Sequence, residues 1–374
     1  MPRKTQLQMN NHVTVLEIDG KALEHNLNYF KKKLLPTTKI LAVVKAFSYG
    51  SDEVQVAKFL QDKIDYFAVA YAHEGIALRE ANFRKPILVL HPQIVNFQSI
   101  IDNCLEPNLY SFETFYAFLK LAKNNSLTDY PIHIKFNTGL NRLGFLPSDV
   151  SKIIDGLREN KQVKIQSLFS HLVASEDLKE RDFTNRQIES FKNIVKEFEN
   201  YLTYKPILHI SNTSGVVNYP DAQFDMVRIG IGLYGFGNDD FETSQLKNTH
   251  NLSSIISQIH EIDPGNSVGY NRAFIATKKI RSATIPIGHA DGISRALGNA
   301  KGFVTINHQK APILGNVCMD MIMVDVTNIN CKEGDKVIIF NHQKTIQEFA
   351  DAAETITYEI LTGISHRVKK VLKD

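Results

Sequence analysis

The chain is poor in the features that mark several large protein classes. It holds three cysteines in 374 residues, Cys104, Cys318 and Cys331, an odd set without a Cys-x-x-Cys pair. Neither a disulfide framework nor a zinc ribbon is suggested by such a set. Charge of one sign is missing too: 43 Lys and Arg face 40 Asp and Glu, a formal net charge of +3. Nucleic-acid affinity draws on clustered cations that neutralise several phosphates, so no nucleic-acid partner is expected. Apolar runs of about 18 residues are absent, and residues 1–12 (MPRKTQLQMNNH) carry no apolar h-region. The chain therefore reads as soluble and cytoplasmic, with no membrane partner. No Gly-x-Gly-x-x-Gly follows the first apolar run, which weakens a dinucleotide-binding reading.

What is present is a long alternation. At ~150 residues per domain the length suggests two or three domains, though one (β/α) barrel absorbs ~250 residues alone. Short β-branched runs recur at Ile40–Val44, Tyr66–Ala70, Ile87–Leu90, Ile132–Phe136, Ile165–Phe169, Ile207–Ile210 and Met226–Ile229, with a weaker one near Asn108–Tyr110. Amphipathic segments such as Glu53–Leu60, Tyr71–Glu80, Phe112–Ala122 and Asp182–Glu199 lie between them. The runs are almost continuously apolar, as in parallel strands buried on both faces. Eight strand–helix units over ~210 residues predict an α/β fold, an N-terminal (β/α)8 TIM barrel, with a doubly wound open sheet as the alternative.

Past residue 245 the texture changes. Ser254–Ile262, Phe274–Ile287, Gly302–Ile313, Met321–Val326 and Lys336–Phe340 read as strands, separated by turn clusters such as Asp263-Pro264-Gly265-Asn266. Helices are expected near Ile346–Ala353 and Glu359–Val371, the second ending in the basic stretch His366-Arg367-Val368-Lys369-Lys370, whose cations would complement the helix dipole. The division is then 1–245 as a barrel and 246–374 as a mostly β C-terminal domain.

In such a barrel, functional groups stand at the C-terminal ends of strands. The first strand runs into Lys45-Ala46-Phe47-Ser48-Tyr49-Gly50. A lysine there would be partly desolvated, so that its pKa falls and it can form a Schiff base; the plainer alternative is a solvated loop lysine. The fifth strand leads to Asn137-Thr138-Gly139-Leu140-Asn141-Arg142, the sixth to Ser170-His171 and the seventh to Ser211-Asn212-Thr213. The eighth gives Arg228-Ile229-Gly230-Ile231-Gly232. Asn212 and Thr213 with Gly230 and Gly232 suit the phosphate site built by the last two loops. Alone, His171 or His209 equally fits a satisfied core histidine. Together these residues put a lysine, a phosphate cradle and an arginine at one barrel mouth, the set a pyridoxal-phosphate site requires.

The segment Ala42–Gly50 resembles the cofactor-lysine signature of alanine racemases. The resemblance continues in order through Lys135–Gly144, His209–Thr213, Arg228–Gly235, Ser267–Arg272, Gly288–Gly292, Val317–Asp320 and Thr357–Val368. It implies a pyridoxal 5'-phosphate enzyme with a barrel and a β domain, racemising alanine to supply D-alanine for cell-wall peptidoglycan. It further implies that Lys45 holds the cofactor and is one catalytic base, while Tyr270 is the second base, supplied by the partner of a homodimer. Tyr49, Asn212, Thr213, Gly230, Ile231 and Tyr358 match the phosphate neighbourhood. Arg228 matches the arginine facing the pyridine nitrogen, with His171 beside it. Arg142 matches a residue near the substrate carboxylate, Met319 a partner-chain backbone contact to it, and Lys135 a lysine that is carbamylated in some members.

Chemistry agrees with the pairing of Lys45 and Tyr270: exchanging a proton on both faces of one carbon needs two acid–base groups that flank it. Asn137, where the family usually has Asp, and His289, at an entrance tyrosine position, depart from the pattern. The alternatives are a broader amino-acid racemase or a decarboxylase-like relative, which would not need Tyr270, and a non-catalytic pyridoxal-phosphate carrier, which would be a lone barrel.

Overall fold

Residues 12–373 are described by a computed structural model. After a first strand, β1 (Val15–Asp19), the β-branched runs form β2 (Lys39–Val43), β3 (Tyr66–Val69), β4 (Ile87–Val89), β5 (Glu106–Leu109), β6 (Tyr130–Lys135), β7 (Val163–Phe169), β8 (Ile207–His209) and β9 (Met226–Ile229). Strands β2 to β9 make one parallel sheet in the order β8-β7-β6-β5-β4-β3-β2-β9, a nearly closed eight-stranded barrel. Asp225 ties its two ends: the backbone N–H of Asp225 donates to the Leu208 carbonyl at 3.0 Å, and its carboxylate accepts from Leu208 N at 3.0 Å.

The connecting helices bury one stripe each. The longest, Arg181–Glu199, covers the barrel with Ile188, Phe191, Ile194, Val195 and Phe198, spaced three and four apart. Phe112–Asn124 starts at Ser111, whose hydroxyl accepts from Thr114 N at 3.3 Å, the cap its sequence suggests. Among the described residues, no helix is long and apolar enough to cross a membrane.

Chain contacts divide the molecule into two compact units. Among the described residues, the barrel unit takes Glu24–Ser48 and Glu53–Leu246; the other takes those through Leu23, Tyr49–Asp52, and those from Lys247 onward. The second unit contains β10 (His250–Ile255), β11 (Gln258–Ile262), β12 (Ser267–Val268), β13 (Phe274–Ile275), β14 (Ile280–Ile285), β15 (Phe303–Ile306), β16 (Gln309–Leu314), β17 (Ile322–Asp325), β18 (Lys336–Phe340) and β19 (Lys369–Lys373). Nine strands form its main sheet, in the order β11-β14-β17-β16-β15-β18-β10-β1-β19.

Five sequence expectations differ from this unit: Ser254–Ile262 is divided between β10 and β11, and Phe274–Ile287 between β13 and β14. The division 1–245 placed residues 12–23 with the barrel, whereas β1 pairs antiparallel with β10 and parallel with β19. Its period of two, with Leu16 and Ile18 fully buried, suits a sheet with one covered face. The expected helix Glu359–Val371 stops at Thr362, and its last residues become β19, so the basic stretch complements no helix dipole. Arg367 instead bonds Asp320 at 2.7 Å. Finally, Gly302–Ile313 is a hairpin, turning at Asn307 and His308 with φ of 46° and 65°. Two successive positive φ values make the tight turn that matches strand twist, and a histidine in the second place hides the usual Asn-Gly signal.

Candidate active site

Lys45 follows β2 and opens a turn that runs the opposite way to an ordinary helix. Ala46, Phe47, Ser48 and Tyr49 have φ of 52–56°, and Gly50 has 78°. Left-handed turns cost roughly 1–2 kcal/mol per non-glycine residue, so the surroundings must hold this one. Glu74 supplies the clamp: Oε1 accepts from Ala46 N at 2.7 Å, while Oε2 accepts from Ala70 N at 2.6 Å and Tyr71 N at 3.0 Å. Farther along, the Ser48 hydroxyl bonds the buried Tyr234 hydroxyl at 2.6 Å.

The barrel brings four cations together. Burial and the neighbouring Arg142 lower the Lys45 pKa, with Glu74 partly opposing them. Lys135, at the end of β6, is buried and pushed down to about 7 by burial and then by Arg142, Arg228 and Lys45. Arg228 on β9 is buried and lowered to about 9 by burial and Arg142, so it stays charged at neutral pH. Its guanidinium donates to His209 Nδ1 at 2.7 Å, to the Ser170 and Ile210 carbonyls at 2.8 and 2.9 Å, and to His171 Nδ1 at 3.1 Å. Burial, followed by Arg228, holds both histidines well below their usual pKa, which keeps them neutral acceptors.

Arg142 is carried by the loop after β6. Asn137 organises that loop: its Oδ1 accepts from Gly139 N at 3.1 Å and Asn141 N at 2.9 Å, and its Nδ2 donates to Asn141 Oδ1 at 2.9 Å. An aspartate would supply only the two acceptor bonds, so the departure from the family pattern adds a donor where a charge is expected. After β8, Asn212 Oδ1 accepts from Gly215 N at 2.9 Å and from the Ser175 hydroxyl at 2.8 Å. Thr213 Oγ1 accepts from Gly230 N at 3.2 Å, joining the loops after β8 and β9. Ile231 then starts a short 3-10 turn, whose leading N–H groups have no acceptor within it. Gly232 has no room for a side chain: a Cβ would lie 2.4 Å from the Phe30 ring.

Thus Lys45, Arg142, His171, Asn212, Thr213, Arg228, Gly230 and Ile231 all stand on loops or strand ends of the barrel unit. In the other unit, Tyr49 and Tyr358 place their ring centroids 5.9 Å apart. Tyr270 and Met319 are surface residues of that unit, 75% and 58% exposed. Tyr270 lies in a strained turn, with Asn271 and Arg272 at φ of 59° and 50°, and its carbonyl accepts from Asn316 Nδ2 at 3.3 Å. Met319 passes close to Gly288, where a Cβ would meet the Met319 carbonyl oxygen at 2.4 Å.

Glu74, which holds the backbone beside Lys45, is not at a strand end and is absent from the expected site. A signal existed: it is the third residue of the helix Ala72–Glu80, where an acid reaches back to the chain before the helix. The inward-facing Glu106, His133 and Ser167 gave no such signal, because each has its partners on other strands and other polar residues share its own.

The alanine racemase N-terminal domain family matches residues 18–237, and the alanine racemase C-terminal domain family matches residues 249–372. An alanine racemase of Halothermothrix orenii is 34% identical over 98% of this chain and 99% of its own length. The structure of alanine racemase from Clostridium difficile 630 superposes with a TM-score of 0.90 at 33% identity, covering 96% of each chain. That from Bartonella henselae, with covalently bound pyridoxal phosphate, gives 0.86 at 29% identity over 96% of this chain and 99% of that one. The barrel with its cation cluster, the β unit and these likenesses agree, and the chain belongs to the alanine racemase family of amino-acid-racemising isomerases.

Proposed function

We propose that this protein interconverts L-alanine and D-alanine with pyridoxal 5'-phosphate, using Lys45 and the Tyr270 of a second chain as the two bases. The observation that carries the reading is the cluster of Lys45, Lys135, Arg142 and Arg228. None of the four joins the ion pairs found among the described residues. Partly buried positive charge of this kind is stabilised by a bound anion, and both the cofactor and an amino-acid carboxylate are anionic. Lys45 would hold the cofactor, Arg228 would face its ring nitrogen, and His171 would steady Arg228. Asn212, Thr213, Gly230 and Ile231 would hold its phosphate, with Tyr49 and Tyr358 as further contacts. When bound, the cofactor supplies an electron sink for the pair left at Cα.

The rest falls to the chain's own groups. A lowered pKa leaves a larger fraction of the Lys45 amine neutral and able to take a proton. Arg228 only donates hydrogen bonds and keeps its proton at neutral pH, so a nitrogen facing it stays unprotonated. Arg142 would bind the substrate carboxylate, helped by the backbone at the partner's Met319. Tyr270 and Met319 are exposed, which supports their availability to a second chain and hence a homodimer, with the 246–374 segment serving the partner's site. The product would supply D-alanine for peptidoglycan in the cytoplasm.

Incubation of the cofactor-loaded protein with L-alanine tests this. D-alanine accumulating towards an equal mixture supports the reading. No D-alanine, from a preparation in which borohydride has fixed the cofactor to Lys45 in a parallel sample, overturns it. Light scattering tests the shared site, since a fully active monomer is incompatible with a partner-supplied base.

A further inference from the structure

A line of polar side chains crosses the barrel interior from strand to strand. Arg228 on β9 donates to His209 Nδ1 on β8 at 2.7 Å. His209 Nε2 lies 2.9 Å from the Ser167 hydroxyl on β7, which lies 2.6 Å from His133 Nδ1 on β6. His133 Nε2 is 2.7 Å from Glu106 Oε2 on β5, and the Tyr66 hydroxyl on β3 donates to the same oxygen at 2.8 Å. All six side chains belong to buried residues.

The two ends of this line set its direction. A guanidinium only donates, so His209 Nδ1 accepts and the single proton of the neutral ring sits on Nε2. That Nε2–H donates to Ser167, and the hydroxyl proton then goes to His133 Nδ1. The His133 proton is accordingly on Nε2, directed at a carboxylate that only accepts. Every middle member donates once and accepts once. A doubly protonated His133 would make Ser167 accept twice and leave its own proton with no acceptor on the line.

We propose that Glu106 is the relayed counter-ion of Arg228, a positioning residue that acts through His133, Ser167 and His209. Hydrogen bonds in a low-dielectric interior polarise one another, so a carboxylate at one end makes His209 Nδ1 a stronger acceptor at the other. The consequence is a guanidinium held in one orientation and kept charged, with no proton moved along the line. This accounts for a buried arginine that keeps its charge beside Arg142 and two lysines of lowered pKa, although no ion pair among the described residues includes it. The other groups facing Glu106 are Arg79 and Tyr130. Arg79 directs its N–H groups at the carbonyls of Asn103, Phe83, Lys85 and Cys104, and the single Tyr130 O–H lies 2.7 Å from the Leu105 carbonyl and 3.1 Å from that of Ile100. The hydrogen bonds of Glu106 are thus those with Tyr66 and His133, and Arg79 acts on it through charge alone.

The inference rests on the racemase reading for its functional meaning, and its test has a readout that needs no turnover. The cofactor-loaded protein labelled with 15N-histidine reports the His209 ring nitrogens. Glu106→Gln is expected to shift them, and the same substitution in a Ser167→Ala background is expected to leave them where Ser167→Ala alone puts them. Each single variant should lower kcat by ~10- to ~100-fold with KM little changed, and the double variant should be no worse than the single ones. Unmoved His209 resonances in Glu106→Gln, an equal shift with Ser167 absent, or additive losses of kcat would each overturn the proposal. Should Glu106→Gln not fold, Ser167→Ala removes one oxygen from mid-line; unchanged His209 resonances and kcat there would overturn it equally. A folded unsubstituted protein that makes no D-alanine would fail the functional reading, while its resonances still report on the relay.

Discussion

The carboxylate of Glu74 accepts the backbone N–H of Ala46 at 2.7 Å, immediately after Lys45, and so ties the left-handed turn to the chain before the next barrel helix. Four consecutive non-glycine residues at positive φ are not self-supporting. Glu74→Ala should lower stability by about 3 kcal/mol, since it orphans several donors held by one charged group. Glu74→Gln, which keeps the volume, should reduce kcat by ~10- to ~100-fold through misplacement of Lys45. Thermal melts and steady-state kinetics check the pair, and wild-type kcat in Glu74→Gln would refute the clamp.

Tyr270→Phe separates the two faces of the reaction. Racemisation should fall by at least ~100-fold, the scale of a lost general acid–base group. One enantiomer of alanine should still exchange its α-proton with deuterated solvent, while the other should not. Equal exchange of both enantiomers, followed by NMR, would mean that one base serves both faces.

Lys135 carries a pH signature. Its folded pKa of about 7 lies below the ordinary lysine value, because burial and three cations disfavour the charged form. The folded state therefore binds fewer protons than the unfolded state between pH ~7 and ~10.4, and stability from this group rises with pH across that window. At lower pH the penalty of charging it is fully present. Urea titrations of Lys135→Met should show a flatter dependence between pH 7 and 10. A neutral amine in this setting also suits carbamylation by carbon dioxide, which would place an anion among Lys45, Arg142 and Arg228. A carbamate resonance in 13C-bicarbonate, absent from Lys135→Met, is the expected result.

Asn137→Ala removes the bonds that shape the Arg142 loop. A loss of about 1 kcal/mol in stability and a several-fold rise in KM for alanine, with kcat less affected, should follow. Asn137→Asp keeps both acceptor bonds and should lie between this variant and the unsubstituted protein.

Much of this molecule was legible in its residues. Apolar runs spaced by amphipathic segments imply parallel strands and covering helices, because side chains partition by face whatever their distant partners are. Strand ends in a barrel converge at one mouth, so the order of Lys45, Arg142, His171, Asn212, Thr213 and Arg228 along the chain was enough to collect them.

Tertiary structure alone decided the rest, and each case turns on a partner remote in sequence. Lys369–Lys373 is a strand because β1 offers it an edge, although its basic residues suited a helix end. The reversed turn after Lys45 exists because Glu74 holds it, 28 residues away from Ala46. Glu106, His133 and Ser167 lie on three different strands, each among other polar residues such as Asn108, Lys135 and Gln166, so their own sequence does not single them out. Only the closing of the barrel aligns them with His209 and Arg228, since burial makes each polar group depend on the next.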